Sequence, residues 1–447
     1  MRQQERILRE MRHVLESEHS RACDGQRLSD LTLRLQSLAD KPDGLTDLIW
    51  TSLQIRHALA VTDPSDTWRE CLSWIGSPPT PARTLDYEYM RSEQRLGPQA
   101  RWRTYYPWLT ERPVATLPIL HNSAMASIAS LFLALKAVRE GQATVIVASR
   151  LYYETRQLLQ RMLAGSSITL VECDTDERFL DELARRRPEP VIAWLDSAET
   201  ADTPALFDAI TEPGFSSRLL AVAWDNTLVP YWQNPLRQER SITIPLFLVR
   251  SLHKLDQLGL ELASVGMLTL VAPRRTSSQS AVLLRGLLDD LMISTKVLGA
   301  TASPTSVRLL DALRLPDQVL VEASNRAARH ATARLAAQLR EALPPPFGVV
   351  EFPHACFANV RCQGRTEADV HAIMADVVSQ AEIERLPIER AASVGFSFTG
   401  MSVFTAHDPH TGGQETFLRV AVGGHDDDVI DRVTACFVTG LRARQRH

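Results

Sequence analysis

Lys254 is the residue whose type and setting most favour covalent chemistry. It is one of four lysines in the chain, and it closes the phrase Ser-Leu-His-Lys directly after the apolar run 242–249. Arginine stays protonated in proteins, whereas a lysine can become neutral in a suitable environment and act as a nucleophile or Schiff-base former. Lys41 lies in a turn, and Lys136 and Lys296 lie in helical patterns that favour solvated side chains. The simpler alternative is that Lys254 is a surface lysine at a strand end.

A carboxylate follows the preceding apolar run in the same way. The run 219–224 leads into Asp225-Asn226-Thr227. The carboxyl end of a parallel strand opens into the usual ligand crevice, so Asp225 is a candidate cofactor contact. The alternative is an aspartate that only stabilises a turn.

Two segments further upstream could hold an anion and a flat ring. The phrase His-Asn-Ser-Ala-Met-Ala at 121–126 passes from a strand into a helix. Small residues at a helix start let main-chain N–H groups approach a phosphate, although Ser123 could equally be an ordinary helix cap. Tyr152 and Tyr153 follow the next strand, where one ring could stack on a planar cofactor and the other could pack in the core.

In chain order these pieces are a phosphate-binding helix start, a stacking ring, an acid at a strand end and a lysine after the next strand. This set is typical of a pyridoxal 5'-phosphate site. The sequence over about 86–440 resembles the Cys/Met-metabolism family of pyridoxal-phosphate enzymes, which includes cystathionine γ-synthase, cystathionine γ-lyase and methionine γ-lyase. The matching phrases are Tyr-Glu-Tyr-Met-Arg at 87–91, Ser-Ala-Met-Ala at 123–126, Leu-Tyr-Tyr-Glu-Thr at 151–155, Asp-Asn-Thr at 225–227, Ser-Leu-His-Lys at 251–254 and Phe-Leu-Arg-Val-Ala-Val-Gly at 417–423.

The resemblance implies a role for each matched residue. Lys254 would carry the cofactor and act as the catalytic base, Asp225 would contact the ring nitrogen, and Tyr152 would stack on the ring. Arg419 would bind the substrate α-carboxylate, a task suited to a guanidinium. The other implied cofactor contacts are Ala124, Met125, Thr227 and Ser251, together with Tyr89 and Arg91 reaching across a subunit interface, where Tyr89 or Tyr152 would also serve as the catalytic acid.

The implied function is β- or γ-elimination or γ-replacement on a small amino acid, by a homodimer or homotetramer. Two departures bear on the substrate. Glu-Gln-Arg at 93–95 replaces the family's Asn-Pro-Thr, and Asp-Ser-Ala-Glu at 196–199 lacks the family's asparagine. They favour a role in specialised metabolism. Because His253 resembles the Ser-x-His-Lys phrase of desulfurases and class V aminotransferases, those reactions remain alternatives, as does a non-catalytic scaffold.

Composition agrees with a globular enzyme. A net charge of -4 predicts no general attraction to nucleic acid or an anionic membrane. The charged N-terminus and the lack of a long apolar run predict a cytoplasmic protein without a membrane span. Six scattered cysteines indicate reduced thiols and no metal site. His407 and His410 flank Asp408 in a glycine-rich loop that we interpret as a loop near the substrate entrance.

The elements that must position these residues predict an α/β protein, and the resemblance implies the type I pyridoxal-phosphate transferase fold. We predict a helical N-terminal extension at 1–80, bounded by the proline-rich stretch 76–81. Apolar runs alternating with helical patterns at 81–300 predict a large domain with a mainly parallel, doubly wound sheet. A long helix over 306–343 and a smaller α+β domain complete the prediction for 301–447.

Overall fold

The structure is a computed structural model with two sheets. It describes residues 3–16, 25–39, 45–60, 102–138, 145–148, 151–185, 190–196, 203–216, 219–236, 241–273, 278–345, 347–352, 355–391, 393–395, 397–407 and 414–443. Contacts divide the chain into two units. We call Trp68–His253 with Ala263–Arg308 the seven-stranded unit, and Met1–Thr67, Lys254–Leu262 and Leu309–His447 the five-stranded unit. The boundaries predicted at residues 80 and 300 stay a prediction, and the described residues before residue 67 belong to the five-stranded unit.

The seven-stranded unit is a mainly parallel sheet. Its strands are β1 (Val114–His121), β2 (Val145–Ala148), β3 (Thr169–Glu172), β4 (Val191–Asp196), β5 (Leu219–Asp225), β6 (Leu246–Ser251) and β7 (Gly266–Pro273). The order is β1-β7-β6-β5-β4-β2-β3, and only the pairings of β7 with β1 and β6 are antiparallel. Burial along the whole of β4 is the pattern of a sheet covered on both faces.

Helices precede and follow these strands. They are α4 (Pro107–Thr110), α5 (Ala124–Val138), α6 (Tyr153–Leu163), α7 (Asp176–Ala184), α8 (Thr203–Ile210), α9 (Pro213–Ser216), α10 (Ser278–Leu298) and α11 (Pro304–Ala312), whose residues from Leu309 onward belong to the five-stranded unit. Apolar side chains from α5, α10 and the central strands form one core, in which Phe132 packs on Trp194. The predicted α/β fold class is confirmed, and the strands predicted at 144–148, 168–172, 191–195, 219–224, 244–249 and 263–271 are confirmed to within three residues.

The five-stranded unit joins the chain's two ends. Its elements are α1 (Gln3–Leu15), α2 (Gly25–Ala39), α3 (Leu45–Ala60), α12 (Gln318–Ala342), β8 (Phe347–Glu351), β9 (Phe357–Cys362), α13 (Glu367–Ile383), β10 (Ile388–Arg390), β11 (Thr399–His407), β12 (Gln414–Ala421) and α14 (Asp427–Ala443). The sheet order is β10-β11-β12-β9-β8. Leu418 and Val420 of β12 belong to a core that includes α13 and α14, so residues 417 and 419 lie on the opposite face.

The single helix predicted over 306–343 is wrong. The structure has two helices, α11 and α12, with Pro316 between them. Proline lacks the N–H that a helix interior needs, and it disfavours helical geometry at the residue before it. Asp317 then starts α12 by accepting a hydrogen bond from the N–H of Leu320 at 2.9 Å. None of the described helices combines the length and apolar character that a membrane crossing needs.

Candidate active site

A chain of hydrogen bonds connects the ends of β5 and β6 in the seven-stranded unit. Oδ1 of Asp225 accepts from the Thr227 hydroxyl at 2.7 Å and from the Thr227 N–H at 3.0 Å. The same hydroxyl oxygen accepts from the N–H of Ser251 at 3.0 Å. Asp225 is 9% exposed. The carboxylate is therefore held in one orientation, and the structure brings together three residues that the sequence assigned to one site.

Asp225 stabilises a turn, and its role as a cofactor contact stays a prediction. A side chain that bonds to the main chain two residues later is the usual behaviour of a turn-stabilising aspartate. Both hydrogen bonds from Thr227 engage Oδ1. A carboxylate has a second oxygen with its own acceptor capacity, so fixing one oxygen also fixes the direction of the other.

Tyr152 lies at the neighbouring strand end. Its N–H donates to Oδ2 of Asp196 at 2.9 Å, and its ring meets that of Tyr153 edge to face at 4.8 Å. Asp196 is 2% exposed and is the register partner of Asp225 across β4 and β5. The start of α6 is therefore tied to the same sheet edge as Asp225. The sequence flagged Asp196 only as a departure from the family phrase, and its place at the end of β4 was the signal for this role.

The start of α5 is fixed by an unusually close approach of β7. A Cβ added at Gly266 would lie 2.1 Å from the carbonyl carbon of Ser123 and 2.3 Å from the nitrogen of Ala124. The Ser123 hydroxyl accepts from the N–H of Ala126 at 3.1 Å, so Ser123 is a helix cap. The N–H groups of Ala124 and Met125 belong to the first helical turn, which has no intrahelical acceptors.

Lys254 follows β6 and begins a tight turn. Its carbonyl oxygen accepts from the N–H groups of Gln257 and Gly259, each at 3.2 Å. Gly259 has a φ of 70°, a left-handed conformation suited to glycine. His253, directly before the lysine, places Nδ1 3.1 Å from the carbonyl oxygen of Ala263. The main chain on both sides of Lys254 is thus held by hydrogen bonds.

The positive charges of Lys254 and Arg419, both in the five-stranded unit, influence the same buried thiol, that of Cys356. Burial raises the pKa of the Cys356 thiol to about 11, and the positive charges of Lys254, Arg329 and Arg419 oppose that shift. All three cations therefore act on one buried thiol. Sequence analysis singled out Lys254 and Arg419, interpreted Cys356 as a reduced thiol, and gave Arg329 no role because it lies in no recognisable phrase.

Aromatic rings hold the guanidinium of Arg419. Its Cζ lies 4.2 Å from the ring centroid of Phe357 and 4.5 Å from that of Phe404. Nε donates to Oδ1 of Asn359 at 3.3 Å, and Phe404 stacks on Phe417 with centroids 5.2 Å apart. The side chain is 8% exposed. Two aromatic rings and one amide oxygen therefore hold the guanidinium of Arg419 in place.

Two predicted site residues cannot be placed. Tyr89 and Arg91 lie outside the described residues, as do 408–413 of the glycine-rich loop with His410. Within the part of the chain that the structure describes, no three metal-binding side chains form a group that could hold an ion.

The fold matches solved structures of enzymes that act on sulfur amino acids. A cystathionine γ-synthase from Xanthomonas oryzae pv. oryzae, in complex with aminoacrylate and cysteine, is similar with a TM-score of 0.50 and 16% identity, over 73% of this chain and 82% of that one. A methionine γ-lyase from Micromonospora echinospora, solved in its apo form, gives a TM-score of 0.53 and 15% identity, over 79% of this chain and 89% of that one. No protein-family model matches the sequence, and no curated protein matches it. At this identity the similarity establishes the fold.

Proposed function

We propose that this protein is a pyridoxal 5'-phosphate enzyme of the Cys/Met-metabolism type, acting by β- or γ-elimination or γ-replacement on a small amino acid. The observation that carries the proposal is the arrangement at two adjacent strand ends. Asp225 ends β5, its hydrogen-bonded neighbours Thr227 and Ser251 link it to β6, and Lys254 follows in the next turn. This order occurs in a fold shared with a cystathionine γ-synthase and a methionine γ-lyase.

The residues present fit the cofactor. The orientation of Asp225 suits a carboxylate that must face a ring nitrogen, and the close approach at Gly266 fixes the position of the start of α5, whose N–H groups could bind a phosphate. Lys254 would bind the cofactor aldehyde. The other contacts would be the N–H groups of Ala124 and Met125 and the hydroxyl of Ser251 at the phosphate, and the ring of Tyr152 against the cofactor ring.

When bound, pyridoxal phosphate supplies an electron sink for negative charge at the substrate α carbon. The protein would supply the proton transfers. Lys254 Nζ would accept the α-carbon proton, and Asp225 would keep a proton on the ring nitrogen. Arg419 would bind the substrate α-carboxylate with the edge of its fixed guanidinium.

A leaving substituent needs a proton donor. Tyr152 and Tyr89 are the proposed donors, the latter from a neighbouring subunit of a homodimer or homotetramer together with Arg91. Subunit sharing has a direct test: mixing Arg91→Ala protein with Lys254→Ala protein should restore activity through hybrid sites. Failure of the mixture to exceed either parent, although hybrid oligomers form, would argue against a shared site.

Product analysis separates the reactions that this cofactor supports. Elimination releases ammonia, a keto acid and the leaving group, and replacement joins a new nucleophile to the carbon skeleton. Transamination, which the His253 phrase keeps as the alternative, yields a keto acid and leaves the amino group on the cofactor. The departures at 93–95 and 196–199 support a substrate of specialised metabolism.

The first test is the visible absorption spectrum of the purified protein with and without added pyridoxal phosphate. We expect a band in the wild-type protein that is absent from Lys254→Ala. Lys296→Ala is the matched control, because that lysine is exposed on α10. A Lys254→Ala protein that kept both the band and wild-type turnover would refute the assignment.

A further inference from the structure

Arg250 is a fully buried cation in β6, adjacent to Ser251. Its side chain is 0% exposed. Removing an ionised group from water is costly unless hydrogen bonds and charges compensate, so a buried arginine indicates a specific task. It lies in none of the phrases that the sequence matched, and sequence analysis gave it no role.

The guanidinium binds the segment that follows Asp225. Nη1 donates to the carbonyl oxygens of Asn226 at 2.5 Å and Val229 at 2.6 Å. Cζ lies 6.0 Å from the ring centroid of Tyr105 and 5.5 Å from that of Tyr231. These two rings stack on each other with centroids 4.3 Å apart. Two carbonyl dipoles and two aromatic faces therefore compensate the buried charge.

Asn226 is held from two further directions. Its N–H donates to the carbonyl oxygen of Val249 at 3.0 Å. Its side-chain oxygen accepts from the Tyr106 hydroxyl at 3.2 Å. Because Asn226 lies between Asp225 and Thr227, a shift of its peptide planes would move both the carboxylate and the hydroxyl that holds it.

We propose that Arg250 is a positioning residue for Asp225. By fixing the carbonyl groups of Asn226 and Val229, it sets the geometry of 225–229 and so the direction in which the Asp225 carboxylate faces the ring nitrogen. This role rests on the proposed function, since the ring belongs to the cofactor. The hydrogen bonds of Arg250 themselves do not depend on it.

Three variants test the idea. Arg250→Met keeps the approximate volume of the side chain but removes every donor. Arg250→Lys restores a donor without the planar guanidinium. Tyr106→Phe removes the hydroxyl that donates to the side chain of Asn226. Arg6→Met is the matched control, because Arg6 is also buried, at 3% exposure, and also donates to a main-chain carbonyl, that of Gly424 in the five-stranded unit.

The first readout is amide hydrogen exchange in the cofactor-free full-length protein. We expect the amides of 226–229 to exchange about tenfold faster in Arg250→Met, with partial recovery in Arg250→Lys and no change in Arg6→Met, because a hydrogen bond to a charged group contributes roughly tenfold or more to an equilibrium. Wild-type exchange at 226–229 in both Arg250→Met and Tyr106→Phe would overturn the inference.

The second readout is equilibrium binding of pyridoxal phosphate and the pH midpoint of the visible band. Arg250→Met should weaken binding about tenfold and shift the midpoint, and Arg6→Met should do neither. Equal effects of the two methionine variants would overturn the positioning role.

A wild-type protein that binds no pyridoxal phosphate would instead refute the proposed function, while the exchange data would still decide whether Arg250 holds this segment. If Arg250→Met does not fold, Arg250→Lys and Tyr106→Phe carry the same comparisons.

Discussion

The two units of the protein hold their functional groups by different means. In the seven-stranded unit, Asp225 and Asp196 accept hydrogen bonds from the main chain at strand ends. In the five-stranded unit, Arg419 is held between Phe357 and Phe404 by ring contacts. A main-chain donor is kept when its own side chain is substituted, whereas an aromatic contact is lost with the side chain that makes it. The first arrangement fixes the direction of a carboxylate, and the second fixes the plane of a guanidinium.

The sharpest test of the seven-stranded half is Asp225→Asn. The amide keeps the size of the carboxylate but cannot hold a proton on a ring nitrogen. We expect kcat to fall roughly a thousandfold, the scale of a lost proton-transfer function. Asp181→Asn, at an exposed position of the same unit, is the control. Steady-state kinetics in which the two variants behave alike would contradict the role of Asp225.

Gly266→Ala tests how strictly the main chain fixes the packing of β7 against the start of α5 in the seven-stranded unit. Its Cβ would overlap the backbone of Ser123 and Ala124, so we expect a loss of about 3 kcal/mol in the free energy of unfolding. Gly286→Ala provides the contrast, because nothing lies within 4 Å of its added Cβ and alanine favours a helix by about 0.5–1 kcal/mol. Urea denaturation would measure both, and equal stability of the two variants would show that the close approach is not fixed.

Arg419→Lys tests the five-stranded half. Lysine lacks the planar edge that pairs with a carboxylate, so KM should rise about ten- to a hundredfold while the visible spectrum stays as in the wild type. Phe404→Leu removes one ring and should raise KM only a few-fold, since a cation–π contact is worth roughly 0.5–2 kcal/mol. A lysine variant with wild-type KM would remove Arg419 from substrate binding.

Each unit also contains a buried neutral histidine, so the free energy of unfolding should depend on pH through a residue in each unit. Burial lowers the pKa of His121 from 6.5 to about 4, although a main-chain hydrogen bond to Ile119 opposes the shift. Burial, aided by the charge of Arg6, lowers the pKa of His425 to about 3. Because the folded pKa is the lower one, the stability from each neutral histidine is complete above pH 6.5. It is lost as pH falls, down to about 4 for His121 and about 3 for His425.

The predicted size is about 1.4 kcal/mol per pH unit for each histidine within its window. The wild-type protein should lose unfolding free energy when the pH falls from 7 to 5. This loss should be smaller by about 2 kcal/mol in His121→Gln, and by about the same amount in His425→Gln. His330→Gln, at an exposed position, is the control. If His121→Gln and His425→Gln both lost as much unfolding free energy between pH 7 and pH 5 as the wild type, neither histidine would titrate in this way.

The sequence predicted the seven-stranded sheet well because its buried strands are short apolar runs between turns. Strand β6 and the turn after it could be located from the run 242–249 and the phrase that follows. The break at Pro316 was missed because the helical periodicity on both sides suggested one helix. Strand β10 was missed because three residues carry no measurable pattern.

The candidate site was predictable where residues act in consecutive phrases. Asp225 and Thr227 are two residues apart, and Lys254 closes a phrase of its own. The ring partners of Arg419 were not predictable, because Phe357 and Phe404 reach it only through the register of β9, β12 and β11. The neighbours of Cys356 depend on the packing of distant segments for the same reason.

The most direct test of the central claim is to locate the covalent attachment of the cofactor. The protein is incubated with pyridoxal phosphate, reduced with borohydride, digested and examined by mass spectrometry. We expect one stoichiometric phosphopyridoxyl modification, on Lys254, and only trace labelling of Lys41, Lys136 and Lys296. Absence of the label, or equal labelling of all four lysines, would contradict the assignment of Lys254 as the cofactor-binding residue.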